Sequence, residues 1–80
     1  MRGKYVMTKV GPVLFPSTIL HASFKRLNPS SAGMFLVTDK GVEVYGRSDS
    51  LDLDSAFGDA DRIGRLFEVP VRSGVKQTRM

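Results

Sequence analysis

The stretch from Ser48 to Asp61, SDSLDLDSAFGDAD, places five aspartates in fourteen residues and contains no base. Carboxylates at that density could ligate a divalent cation, form an acidic recognition surface, or start a helix. Spacing argues against the first. A calcium loop of the EF-hand type needs acidic or amide ligands at positions one, three and five and glycine at six. Counting from Asp52 puts Asp54 at three but Ala56 at five and Phe57 at six, and counting from Asp49 puts Leu51 at three. Asp59 and Asp61 alone fall short of a calcium site with six to eight oxygen ligands.

The helix-start reading accounts for more of these acids. Asp54 or Ser55 can serve as an N-cap, with the side-chain oxygen accepting an orphan backbone N–H. Asp59 and Asp61 then lie in or just before the first turn, where the helix dipole favours negative charge. Asp61 with Arg65 and Asp59 with Arg62 have the spacing of paired charges on one helix face. In SLDLDS, Leu51 and Leu53 alternate with Asp52 and Asp54, which predicts an extended stretch with one face in and one out. Asp49 and Asp52 are left without a structural purpose.

Nucleophilic chemistry has little to stand on. GRSDS at 46–50 resembles a nucleophile elbow, but Ser50 stands where the motif requires glycine, and the elbow needs a parallel sheet larger than this chain can build. His21 is the only histidine, so a Ser48 or Ser50 triad would have to pass through it. No glycine-rich phosphate loop is present, and Pro29 blocks a glycosylation acceptor at Asn28. Cysteine is absent, which excludes disulfides, thiolate metal sites and thiol catalysis. The expectation is therefore no catalytic residue, no cofactor and no metal site.

Charge is uneven. Residues 1–40 carry six bases (Arg2, Lys4, Lys9, Lys25, Arg26, Lys40) and one acid, whereas residues 41–80 carry six bases and seven acids. With Tyr5, the basic half could form a nucleic-acid face, although no RNP1 pattern, zinc finger or helix-turn-helix accompanies it. A net charge of +4 on 80 residues also fits an ordinary solvated surface.

The elements that must position these residues can be read from periodicity. KYVMTKV alternates as a strand, with Tyr5 and Met7 on one face and Val6 and Val10 on the other. Gly11-Pro12 signals a turn, VLF at 13–15 a second strand, and Pro16 its end or an edge. STILHASFKRL at 17–27 fits either a helix, with Leu20, Phe24 and Leu27 in register and Ser17 as a cap, or a strand. The extended reading is preferred. NPSSAG at 28–33 reads as a loop. MFLVTDKGVEVYG predicts a β-hairpin, 34–38 with 42–46, turning at Asp39-Lys40-Gly41 through a type I turn with a bulge. Val42 and Val44 share a face, with Phe35 and Val37 on it or opposite. Around residues 56–68, and most clearly from 59, a helix carries Ala60, Ile63 and Phe67 inward, with Leu66 widening the stripe and Gly64 weakening it. Val69-Pro70 ends it. Residues 70–80 have few apolar groups and read as a flexible tail.

These elements predict one α+β domain over 1–69: a small antiparallel sheet of three to five strands, containing the hairpin 34–46, with one C-terminal helix across it. The strands present two apolar faces, more than one short helix covers, so a second copy of the protein, as a homodimer, is expected to cover the remainder. No apolar run reaches the length of a membrane span. The N-terminal segment lacks the continuous apolar core of a signal peptide.

The order GPVLFP at 11–16, HA at 21–22, SAG at 31–33 and GRSDSLDLDS leading into DADRIGRLF resembles a group of small uncharacterised proteins encoded by tailed phages and prophages. The resemblance runs to residue 67 and brings no catalytic or binding role to any residue. It implies a bacterial cytoplasmic accessory or assembly protein. The expected function is non-enzymatic protein binding or self-association, with nucleic-acid binding through the basic half as the alternative. The candidate partner surface is Asp49, Asp52, Lys25 and Arg26.

Overall fold

The computed structural model describes residues 1–67. Four antiparallel strands form the main sheet: β1 (Arg2–Thr8), β2 (Gly11–Phe15), β3 (Ser31–Thr38) and β4 (Gly41–Tyr45), in the order β2-β1-β3-β4. β5 (Arg47–Ser48) and β6 (Leu53–Asp54) pair only with each other, as a second, two-stranded ribbon. The helix α1 (Asp59–Phe67) follows the ribbon, and a 3₁₀ segment (His21–Leu27) lies between β2 and β3. This is the small α+β fold expected, and the tail expected over 70–80 lies outside the described residues.

Alternation along β1 separates two cores. Tyr5 and Met7 join Phe35 on one face, and Ile63 of α1 closes over them, with Leu14, Val37, Val42, Val44 and Phe67 around the rim. Val6 joins Phe15 and Ala32 on the other face, under Phe24 of the 3₁₀ segment and Leu51 and Leu53 of the ribbon. The sheet is thus covered on both sides by its own chain. A second copy is not needed to cover either face: the cover comes from the helix on one side and from the 3₁₀ segment and the ribbon on the other.

The segment 17–27 is not extended. After a turn closed by the Ile19 N–H on the Pro16 carbonyl, His21–Leu27 coils as a 3₁₀ helix. Leu20 precedes it without a side-chain cap, so Ser17 does not serve as one, and Asn28 ends it in the left-handed region. The physical reason is the spacing of the groups that bury. His21 and Phe24 stand three apart, the 3₁₀ repeat. Both reach Phe15, with ring centroids 5.5 Å and 4.4 Å away. Leu20 and Leu27 stay exposed.

Other boundaries shift for local reasons. The first hairpin turns at Lys9-Val10, not Gly11-Pro12, because Thr8 pairs with Gly11. Val10 is therefore exposed at the tip instead of lying on a strand face. Thr8 Oγ1 accepts the Val10 N–H, and Thr38 Oγ1 accepts the Lys40 N–H at the second hairpin, so both turns share one threonine-based device. The second hairpin pairs Phe35 with Val44 and Val37 with Val42, as their shared face requires. Gly41 has a positive φ of 129°, yet pairing runs one to one from Thr38 with Gly41 onward, so no bulge forms. Residues 31–33, expected in a loop, extend β3 and pair with β1. SLDLDS is extended only at Leu53–Asp54, which form β6: Asp49–Asp52 make the ribbon's turn, with Asp52 left-handed at φ 56°. Both leucines still face inward. Residues 56–58 form a turn before α1 and are not helical, and Leu66 is exposed rather than on the inward stripe.

Candidate partner surface

Arg47 is the centre of the acidic stretch. Its Nη1 donates to Asp49 at 2.7 Å, its Nη2 to Asp52 at 2.7 Å and its Nε to Asp54 at 2.9 Å. The ribbon makes this possible. Arg47 pairs with Asp54 across the strands, and the turn between them swings Asp49 and Asp52 to the other two nitrogens. Asp52 foremost, then Asp54 and Asp49, stabilise the charged guanidinium and push its pKa up. The cation that these carboxylates hold is the chain's own. Asp49 and Asp52, expected to be without structural purpose, close the ribbon's turn, and Asp54 is not a helix cap. Among the described residues, no group of three or more histidines or acids is placed to hold a metal.

The cluster faces water. The side chains of Asp49 and Asp52 are each 91% exposed, against 41% for Arg47. Three carboxylates on one guanidinium leave the group with a surplus of two negative charges. Lys25 and Arg26 lie in the last turn of the 3₁₀ segment, exposed and outside ion-pair distance of any acid among the described residues. The 3₁₀ segment and the ribbon cover the same sheet face through Phe24, Leu51 and Leu53. The four candidate residues therefore share one layer of the fold, with the two acids joined through Arg47.

Asp59 departs most from expectation. It is buried, not paired with Arg62 at the surface. Its Oδ2 accepts three hydrogen bonds: from the Tyr5 hydroxyl at 2.6 Å, the Ser31 hydroxyl at 2.7 Å and the Ala56 N–H at 2.9 Å. Position one of α1 suits a carboxylate because unsatisfied N–H groups and the dipole face it. Burial first, and then the Asp59 carboxylate, push the Tyr5 phenol well above its ordinary pKa. Tyr5 is fully buried, which removes it from the basic aromatic face considered for nucleic acid. Asp61 and Arg65 also form no ion pair, since the only ion pairs among the described residues are those of Arg47.

The same carboxylate organises Phe57. The Asp59 N–H bonds back to the Ala56 carbonyl while Ala56 donates to Asp59 Oδ2, closing the turn 56–59 from both ends. Gly58 takes φ 96° at its third position, as a type II turn requires. Phe57, between them, points fully into solvent. Only its place beside Gly58 could have marked it in the sequence.

His21 is buried, and its Nε2 lies 2.9 Å from the Gly33 carbonyl. That contact makes Nε2 a donor and commits it to the backbone. Ser48 accepts the Leu51 N–H and contacts the Ser50 hydroxyl, so its described partners belong to the ribbon turn.

Compared with family models, curated proteins and solved structures, the chain matches none. The chain is a small α+β domain with a charged ribbon and an exposed phenylalanine. No helix among the described residues is long and apolar enough to cross a membrane.

Proposed function

We propose that this protein is a non-enzymatic binding module that docks a protein partner, as an accessory or assembly component of a phage or prophage in the bacterial cytoplasm. Phe57 carries the reading. Phe57 is 107% exposed, the most of any large hydrophobic side chain among the described residues, in a domain that covers both faces of its own sheet. Its backbone is also held on a turn closed through the buried Asp59 carboxylate, so little backbone entropy is lost when a partner takes it. Anchors that fill a pocket at the centre of an interface carry much of its binding energy. The phage setting is supported by the order of motifs from GPVLFP to DADRIGRLF.

The test is photo-crosslinking in cells that carry the parent phage or prophage, with Phe57 replaced by its photoreactive benzoyl derivative. The expected result is a discrete adduct with one protein, lost in an otherwise identical protein carrying the derivative at exposed Thr18. The same adducts from both positions, or none, would overturn the reading. A gel shift decides for nucleic acid instead: binding of DNA or RNA that weakens steeply with salt and depends on Lys25 and Arg26 would favour it.

A further inference from the structure

We propose that β4 pairs with β4 of a second copy, joining two four-stranded sheets into one of eight strands. The inference concerns self-association through β4 only and uses no residue of the Phe57 turn, so it stands or falls apart from the docking reading.

The two edges of the sheet are not equivalent. Met1 exchanges both backbone bonds with Val37, which directs Val37 toward β1. Antiparallel ladders alternate, so Phe35 also bonds toward β1, while Thr38, Leu36 and Met34 bond toward β4. Their β4 partners are Gly41, Glu43 and Tyr45. The N–H and C=O of Val42 and Val44 therefore point outward, and no partner takes them among the described residues. The same alternation makes Pro12 and Leu14 the outward residues of β2. Proline has no N–H to offer, so Pro12 guards that edge. No proline guards β4, and a row of free donors and acceptors is a template for an extended strand.

The side chains select a second copy and its register. A two-fold axis normal to the sheet allows the outward residues to pair in three ways, of which Val42 on the axis sets Glu43 against Gly41 and Val44 against Lys40 in the partner's hairpin turn and leaves Tyr45 beyond the strand pairing. Val42 against Val44 would bring Glu43 directly opposite Glu43 of the partner subunit, a repulsive contact at close cross-strand spacing. Shifting the pairing sets Val44 on the axis against its own counterpart. Glu43 then faces Tyr45 of the partner subunit, and Tyr45 faces the partner's Glu43. Tyr45 and Glu43 are both exposed in one copy, and this arrangement gives each a partner twice over.

Sedimentation velocity of the full chain across a wide concentration range is the test. The expected result is a monomer–dimer equilibrium. Tyr45→Glu places carboxylates opposite one another at two symmetric positions and should weaken association at least about tenfold, the effect of about 1.4 kcal/mol. Adding Glu43→Lys to that variant converts both repulsions into ion pairs and should restore the dimer. Both positions are exposed, and unfolding curves of the variants establish that the monomer is intact. A monomer at every concentration overturns the proposal and leaves the edge to a strand from another protein. A dimer indifferent to Tyr45→Glu, or not restored by the second change, overturns it equally.

Discussion

The Tyr5 hydroxyl donates to Asp59 Oδ2 at 2.6 Å, across 54 residues of chain, and ties the central strand β1 to the first turn of α1. Ser31 of β3 and the Ala56 N–H converge on the same oxygen. One carboxylate thus fixes where the helix begins, how it sits on the sheet and how the turn bearing Phe57 is shaped. Asp59→Ala should leave two hydroxyls and one N–H without their acceptor. Each buried unsatisfied group costs about 1–3 kcal/mol. The sum is a large part of the stability of a domain this small, so the urea midpoint should collapse. Asp59→Asn keeps an acceptor oxygen and should lose much less. Equal losses in the two variants would mean that the charge, not the acceptor, matters.

Alkaline pH should act through the other partner. Burial and Asp59 raise the Tyr5 phenol above its ordinary value. The folded state then keeps a proton that the unfolded chain gives up near pH 10. Stability is complete below that pH and falls as pH rises through it, because the unfolded state binds fewer protons. In a Tyr45→Phe background Tyr5 is the only tyrosine, and tyrosinate absorbance should rise only together with loss of secondary structure. Ionisation before unfolding would contradict the buried bond. Tyr5→Phe should flatten the alkaline slope while lowering stability at neutral pH.

How much of this was legible beforehand depends on the kind of signal. Period-two and period-3.6 patterns found β1, the hairpin and α1, because Tyr5 and Met7, Phe35 and Val37, and Ile63 and Phe67 each declare a buried face locally. Asp59 declares nothing locally. It looks like any acid at a helix start, and its burial depends on Tyr5 and Ser31 arriving from distant strands. Arg47 declares nothing locally either: it stands just upstream of the acids, and only the ribbon folds it back onto three of them. The second apolar face was visible, but its cover was not. Phe24 and Leu51 gain their meaning only once the 3₁₀ segment and the ribbon lie over Phe15 and Val6.

The Arg47 cluster should govern local order, not global stability. Exposed ion pairs contribute little to folding because water and salt screen them. Three carboxylates on one fork nevertheless hold the turn from Asp49 to Asp52, and lysine cannot reproduce that fork. Arg47→Lys should therefore leave the thermal midpoint nearly unchanged while amide hydrogen exchange quickens at residues 49–54. Salt should quicken exchange at the same amides in the parent protein. Unchanged exchange there would mean that the ribbon's backbone bonds and the Ser48 hydroxyl suffice to hold the turn.

Gly64 offers a prediction of opposite sign. It lies within α1, where glycine costs about 1 kcal/mol relative to alanine because the free chain has more conformations to lose. Some helix glycines are required by close approach, but a Cβ at Gly64 would meet only Val42 Cγ2, at 3.8 Å, an ordinary contact. Gly3 shows the contrast: a Cβ there would lie 2.7 Å from the Phe15 carbonyl oxygen, a backbone atom without room to yield. Gly64→Ala should therefore stabilise the protein by up to about 1 kcal/mol and add a methyl to the contact between α1 and β4. Gly3→Ala should destabilise it severely by prising β1 from its neighbours. Paired urea unfolding curves of the two variants measure both effects. A Gly64→Ala protein less stable than the parent would show that α1 sits closer to β4 than this packing allows.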